Sequence, residues 1–258
     1  GAEGVAAGAP QGETGPLGGQ RPAQRRSVGA IIVDLDGTMV DTLADFVAAL
    51  NHTLDDLRLP PVDRGLVERS VGKGSEHRVR TVLDHQLALP EVVAAGAVAL
   101  DWPRKEVDAL ALERYQHHYL YINGQFSDVY PGVTEGLERL RALGLTMACL
   151  TNKPLAFAQA LLEIKGLNGF FSQVFGGDSF ERKKPDPLPL IRTCEALGTC
   201  PQHILMVGDS ENDGQAARAA GCPVVLVTYG YNHGRPIADA PHDALIDSLV
   251  ELPTWLKS

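Results

Sequence analysis

Residues 28–42 read VGAIIVDLDGTMVDT, and the fold turns on how this stretch is understood. The apolar run through Val33 reads as a buried strand, yet it ends on two carboxylates one residue apart, Asp34 and Asp36, followed by Gly37 and Thr38. Side chains two apart on a strand share a face, so both carboxylates are expected on one side at its carboxyl end. In open α/β sheets that end is where ligands bind. Two carboxylates in an apolar setting repel each other and are costly to desolvate unless a cation lies beside them. A divalent metal is the usual remedy. A calcium loop also begins D-x-D-G, but its sixth position needs glycine where Met39 stands and its twelfth needs glutamate where Asp45 stands. A plain polar strand end closing into a turn is the lesser reading of this motif taken alone, and the rest of the chain has to decide.

Working outward, strand and helix signals alternate as a parallel sheet requires. Phe46, Ala49, Leu50, Thr53, Leu54 and Leu57 form one helical stripe that Pro60-Pro61 ends. From there to about residue 127 the apolar spacing is helical throughout. Beyond VYPG at 129–132 the alternation resumes: a helix at 133–143, the strand LTMACL, a helix at 154–165, the segment FSQVFGGD, a helix at 187–197, the strand HILMVGD, a helix closed by Gly221, and the strand PVVLVTYG. The expected fold is α/β, a Rossmann-like mostly parallel sheet core over residues 28–44 and 128–258, with an inserted all-helical cap domain over 45–127. Residues 1–27, rich in Gly, Ala, Gln and Pro, lack the bulk and periodicity to pack and are expected to be a disordered tail.

The chain has 258 residues and a formal net charge of -9, which gives no broad electrostatic footprint for nucleic acid or an anionic membrane. No apolar run approaches the roughly 18 residues that a transmembrane helix needs. Arg25-Arg26 precedes an apolar run, as in a twin-arginine export signal, but the run stops at Asp34. Cys149, Cys194, Cys200 and Cys222 lie scattered without CxxC spacing, as in a reduced cytoplasmic protein. A soluble cytoplasmic protein is expected, as monomer or homodimer.

Three further strand or loop ends carry chemistry. In VGDSENDG, residues 207–214, Asp209 leaves a strand while Ser210 and Asp213 have the spacing of a helix start. In CLTNKP, Thr151, Asn152 and Lys153 precede a helix opened by Pro154, where hydroxyl, amide and helix N-terminal donors converge as an anion site requires. In ERKKPDPLPL, Lys183 and Lys184 stand just before a helix, where the dipole disfavours cations, so a lysine there needs another reason.

Carboxylate pair, Thr/Asn pair, lysine and further carboxylates, in that order, resemble the four motifs of the haloacid dehalogenase superfamily of aspartate-nucleophile phosphotransferases. The resemblance covers residues 28–250. It implies Asp34 as nucleophile, Asp36 as general acid and base, and Lys184 as the charge-offsetting catalytic lysine. It further implies Gly37, Thr38, Thr151 and Asn152 on phosphate, and Mg²⁺ held by Asp34, Asp36 through its main chain, Asp209 and Asp213. The helical insert resembles the family's mobile cap, where SVGKGSEHRVR, residues 70–80, is the expected source of specificity. Lys73 is the first candidate there for a substrate contact, with Arg78 and Arg80 left open beside it. Equally, this segment reads as a glycine-rich link with solvated basic residues. FGGDSFERKKPDPLPL, VGDSENDGQAARAAGCPVV and TYGYNHGRPIADAPHDALIDSLVEL resemble bacterial phosphoglycolate phosphatases, which implies 2-phosphoglycolate as the small phosphate ester cleaved. The segment LDHQLALPEVVAAGAVALDWP is less distinctive. Three rivals remain: a phosphatase for sugar phosphates or nucleotides, a β-phosphoglucomutase-like phosphotransferase, and a non-catalytic phosphate-sensing module. The last fits poorly, because its acceptor aspartate does not lie on the first strand. His117-His118 are not spaced as metal ligands with any visible partner.

Overall fold

In the computed structural model, which describes residues 27–257, the opening stretch forms the central strand of the sheet. The tail expected over residues 1–27 lies outside the described residues except for Ser27. The strands are β1 (Ala30–Val33), β2 (Val40–Asp41), β3 (Asp128–Val129), β4 (Thr146–Leu150), β5 (Gln173–Phe175), β6 (Ile204–Gly208), β7 (Val224–Val227) and β8 (Ala244–Ile246). Six of them form one sheet in the order β5-β4-β1-β6-β7-β8, parallel at every pairing. Ile32 of β1 sits between Ala148 of β4 and Met206 of β6. Strand order therefore reverses at β1, and the crevice beyond its carboxyl end is where such sheets take ligands.

β1 is apolar at every position because both of its faces are covered. Ile31, Val33, Met147, Cys149, Leu205, Val207, Val225 and Val227 face α6 (Val133–Ala142), α7 (Leu155–Ile164) and the C-terminal α10 (Leu252–Lys257). The alternate residues Ala30, Ile32, Met206, Val224 and Leu226 face α8 (Leu188–Ala196) and α9 (Glu211–Ala220). Gly221 closes α9 in the left-handed conformation, φ 86°, as its position in the sequence suggests.

Between β2 and β3 the chain runs through five helices: α1 (Leu43–Asp56), α2 (Arg64–Arg69), α3 (Ser75–Leu87), α4 (Pro90–Ala95) and α5 (Arg104–Ile122). They share a core of their own in which Phe46, Leu50 and Leu54 meet Val67, Val79, Leu83, Ala111, Tyr115 and Tyr119. The α1 stripe read from spacing is buried from Phe46 to Leu54, and Leu57 is the residue that caps the helix end. The helix begins at Leu43, ahead of the boundary expected at 45.

Two features escape local sequence patterns. β8 has three residues, too few to show a period. The antiparallel pair of β2 and β3, Val40 opposite Val129 and Asp41 opposite Asp128, joins segments far apart in the chain and forms the neck through which the chain enters and leaves the helical unit. Asp45, in the first turn of α1, is fully buried beside this neck. It accepts hydrogen bonds from the backbone N–H of Gly124 at 2.9 Å and of Phe126 at 2.7 Å, so it ties the outgoing chain to the returning one. Asp45→Ala leaves the buried Gly124 N–H without its partner and frees that of the exposed Phe126, and is expected to destabilise the protein by about 1–3 kcal/mol, measured as the shift of its urea unfolding midpoint.

Candidate active site

Asp34 follows β1 directly, its N–H still bonded to Val207 O at 2.9 Å, and its Oδ1 accepts from the N–H of Leu35 at 2.7 Å. The chain then folds back tightly: the N–H groups of Thr38 and Met39 both reach Leu35 O, and Gly37 N–H reaches Val40 O. Gly37 has φ +82°, and a Cβ there would stand 2.0 Å from Asp209 Oδ2. Only glycine allows the turn to approach the end of β6 so closely.

That approach lets the turn hold Asp209. Thr38 Oγ1 donates to Asp209 Oδ1 at 3.1 Å, and Tyr231 N–H donates to Oδ2 at 2.8 Å. Asp213, in the first turn of α9, forms the capping box with Ser210 that the S-x-x-D spacing suggests. Its Oδ2 accepts from the N–H groups of Asp209 at 3.0 Å and Ser210 at 3.3 Å. Its Oδ1 accepts from Lys184 Nζ at 2.8 Å. Lys184 is buried and also reaches Leu150 O at 2.9 Å and Asp34 Oδ1 at 3.4 Å. Asn152 fixes that lysine by its backbone, accepting from Lys184 N–H at 3.1 Å and donating to Lys184 O at 2.9 Å.

The balance of charge is telling. Burial, then the charge of Asp213, pushes Asp34 up to about 8, against the pull of Lys184 and the Leu35 amide. Burial and the charges of Asp34 and Asp213 likewise hold Asp209 well above the usual carboxylate range. Burial disfavours the charge on Lys184, but Asp213 and Asp34 outweigh it and raise the group above an ordinary lysine. One ammonium thus faces three carboxylates. Asp34, Asp209 and Asp213 each offer an oxygen within 4.8 Å of the others, an all-oxygen donor set that fits a hard divalent cation.

Asp36 is turned differently. Its Oδ1 accepts from Thr42 Oγ1 at 2.8 Å and from Lys153 Nζ at 3.0 Å, and it stands outside the group of three. Asp34, Asp36, Thr151, Asn152 and Lys153 line one small cavity with Gly72, Gly74 and Arg78 of the cap. Asn152 Nδ2 also donates to Gly72 O at 2.8 Å, latching core to cap. Lys73 is exposed and does not line this cavity, whereas Arg78, the neighbour left open in the sequence, does. Lys153 is the residue that sequence reasoning passed over. It stands just before a helix N-terminus, where a cation is disfavoured, and the argument that singled out Lys184 applies to it equally.

With this geometry in view, comparison with known proteins is decisive. The family model of haloacid dehalogenase-like hydrolases matches residues 31–227. The chain belongs to that family. It is 39% identical over 222 residues to the phosphoglycolate phosphatase of Thiobacillus denitrificans, covering 86% of this chain and 92% of the relative. It is 41% identical over 227 residues to the plasmid-borne phosphoglycolate phosphatase of Cupriavidus necator, covering 88% and 92%. Among solved structures it resembles one described as a predicted phosphoglycolate phosphatase from Haemophilus somnus, with a TM-score of 0.81, 33% identity, and coverage of 88% of this chain and 97% of that one.

Lys184→Met removes the one ammonium from the carboxylate cluster and leaves buried charge uncompensated. A loss of about 3–5 kcal/mol is expected, read from chemical denaturation in metal-free buffer.

Proposed function

We propose that the protein is a cytoplasmic, Mg²⁺-dependent phosphoglycolate phosphatase that hydrolyses 2-phosphoglycolate to glycolate and phosphate, with Asp34 as the nucleophile. The observation that carries this reading is the meeting of Asp34 and Asp209, at the carboxyl ends of the adjacent strands β1 and β6, with Lys184 from the loop after β5, beneath a helical cap. The names of the relatives support the substrate. The cysteines, all free, fit a reducing compartment.

Phosphate monoesters hydrolyse so slowly in water that enzymes acting on them reach accelerations up to ~10²¹-fold. The chain's tasks are to align an attacker, neutralise charge on the phosphoryl oxygens and protonate the leaving oxygen. Leu35 N–H and Lys184 both engage Oδ1 of Asp34, which leaves Oδ2 to attack phosphorus and form an aspartyl-phosphate. Thr42 and Lys153 both engage Oδ1 of Asp36, which leaves Oδ2 to carry the proton to the departing alkoxide and then to take one from the hydrolytic water. Thr151, with Lys184, receives the phosphoryl oxygens, and Gly37 and Thr38 shape the turn that holds Asp209 against them.

Asp34 and Asp209 would hold the metal. Asp213 completes the group of three, and it also orients Asp209 N–H and Lys184, to which its two oxygens are bonded. Bound there, Mg²⁺ would neutralise phosphoryl charge that a carboxylate nucleophile cannot otherwise approach. The cavity at these residues measures about 20 Å³, room for about one water. The cap therefore lifts to admit an ester and closes over it, excluding bulk water.

The function is tested by Mg²⁺-dependent phosphate release from 2-phosphoglycolate, 3-phosphoglycerate, a hexose phosphate, AMP and pyrophosphate. 2-Phosphoglycolate is expected to lead, and Asp34→Asn to lower kcat by at least about 1,000-fold. Preference for another ester would overturn the substrate, and turnover that needs glucose 1,6-bisphosphate would replace the hydrolase with a mutase. The metal site has a readout free of turnover. At 100 times its dissociation constant, Mg²⁺ is expected to stabilise the wild type by about 2.7 kcal/mol in thermal unfolding, and Asp209→Asn to abolish that gain.

A further inference from the structure

Arg78 lies in the second turn of α3, and its side chain is 4% exposed. Buried guanidinium groups are ordinarily matched by a carboxylate, since an unpaired buried charge is costly. Arg78 has no such match among the described residues. Its Nη1 donates to the neutral hydroxyl of Tyr115 at 3.0 Å, its plane lies over the Phe46 ring at 3.7 Å, and its Nε is buried without a hydrogen-bond partner. Lys153 Nζ lies 4.7 Å from the same Phe46 ring, so two cations share one aromatic surface. The carboxylate beside them, Asp36, is already bonded to Lys153. Asp45, buried behind Lys153, is taken up by the Gly124 and Phe126 N–H groups, and Asp34 by Lys184, so Arg78 stands on its aromatic support with no carboxylate in contact, in the wall of the cavity that Asp34 lines.

Such a wall is made for an anion from outside the chain. The phosphoryl group is accounted for by Asp34, Lys184 and the metal. What remains of the substrate is its other end, and a guanidinium presents its N–H groups in a planar fork that matches a carboxylate. We propose that Arg78 binds the carboxylate of the substrate and is the residue that selects carboxylate-bearing phosphate esters, with Lys153 reinforcing the charge. This rests on 2-phosphoglycolate being the substrate. In that molecule the carboxylate stands one carbon beyond the ester oxygen, in keeping with how closely Arg78 and Asp34 line the same cavity. Arg78 is then a specificity-determining residue, supplied by the cap, and its buried charge is matched only when the right ester is bound.

A purely structural Arg78 would be a plug for the cap core, and the two roles part in experiment. The wild type, Arg78→Met and Arg78→Lys are compared on 2-phosphoglycolate and on ethyl phosphate, which has the same ester linkage without the carboxylate, and each protein's urea midpoint is measured. Arg78→Met is expected to lose about 30- to 100-fold in kcat/KM on 2-phosphoglycolate, as removal of charge-assisted hydrogen bonds does, while ethyl phosphate turnover stays within about threefold. Its urea midpoint should not fall, because the substitution removes an unpaired buried charge. Arg78→Lys keeps a charge but loses the fork, and its KM for 2-phosphoglycolate should rise with little change in kcat. Should Arg78→Met not fold, this second variant decides. Equal losses on both esters, or full retention of the preference in Arg78→Lys together with Arg78→Met if the latter folds, would overturn the role of Arg78 alone. A wild type that does not distinguish the two esters would overturn the substrate reading and the inference with it.

Discussion

The structure depends on holding like charges together. Asp34, Asp209 and Asp213 converge at the carboxyl ends of β1 and β6, away from water, with Lys184 as their internal counter-charge. Almost every local peculiarity of the core serves this arrangement. The turn after Asp34 is tight because Gly37 must clear Asp209, and Thr38 is buried because its hydroxyl holds that carboxylate. The start of α9 accepts Asp213 because its N-terminal N–H groups need an acceptor. The crowding that raises Asp34 and Asp209 is what a cation bound among them would relieve, with its oxygen donors already fixed in place by the surrounding N–H and hydroxyl groups.

The cap contributes in a different currency. Its apolar core is distinct from the sheet's but takes in Phe157 and Tyr231 of the core domain, and polar contacts join it to the site beside them. Gly72 O meets Asn152, the Tyr119 hydroxyl meets Lys153, and Asn123 Nδ2 donates to Phe157 O at 2.9 Å. These contacts join the helical unit to the core at the edge of the site, while the carboxylate cluster beneath them is held within the core itself.

How much could be read in advance followed from whether a signal was local. The core strands announced themselves as apolar runs because each is covered on both faces, and the four motifs stood at strand ends because the parallel sheet puts every ligand-facing loop on one edge. Gly221 and the Ser210–Asp213 pair were legible because caps are encoded within four residues. The β2–β3 pair was not, because neither partner has more than two residues and the whole helical insert separates them in sequence. Lys73 and Arg78 could not be ranked by spacing. Both belong to the segment around Gly72 and Gly74, and only burial separates the exposed lysine from the enclosed arginine. Lys153 was visible and passed over, since its neighbours Thr151 and Asn152 already accounted for the motif.

The neck has one more consequence. Its two strands lie side by side, so the cap is attached at what amounts to a single pivot. Thr42, the residue immediately after β2, donates to Asp36, and Tyr231 donates its hydroxyl to Asp41 within β2. The other hold on Asp36 is Lys153, which is itself bonded to Tyr119 of the cap. Asp36 is therefore held from two sides, by the neck through Thr42 and by the helical unit through Lys153 and Tyr119. Any displacement of the helical unit about this neck would change the partners of Asp36 while leaving Asp34 fixed on β1.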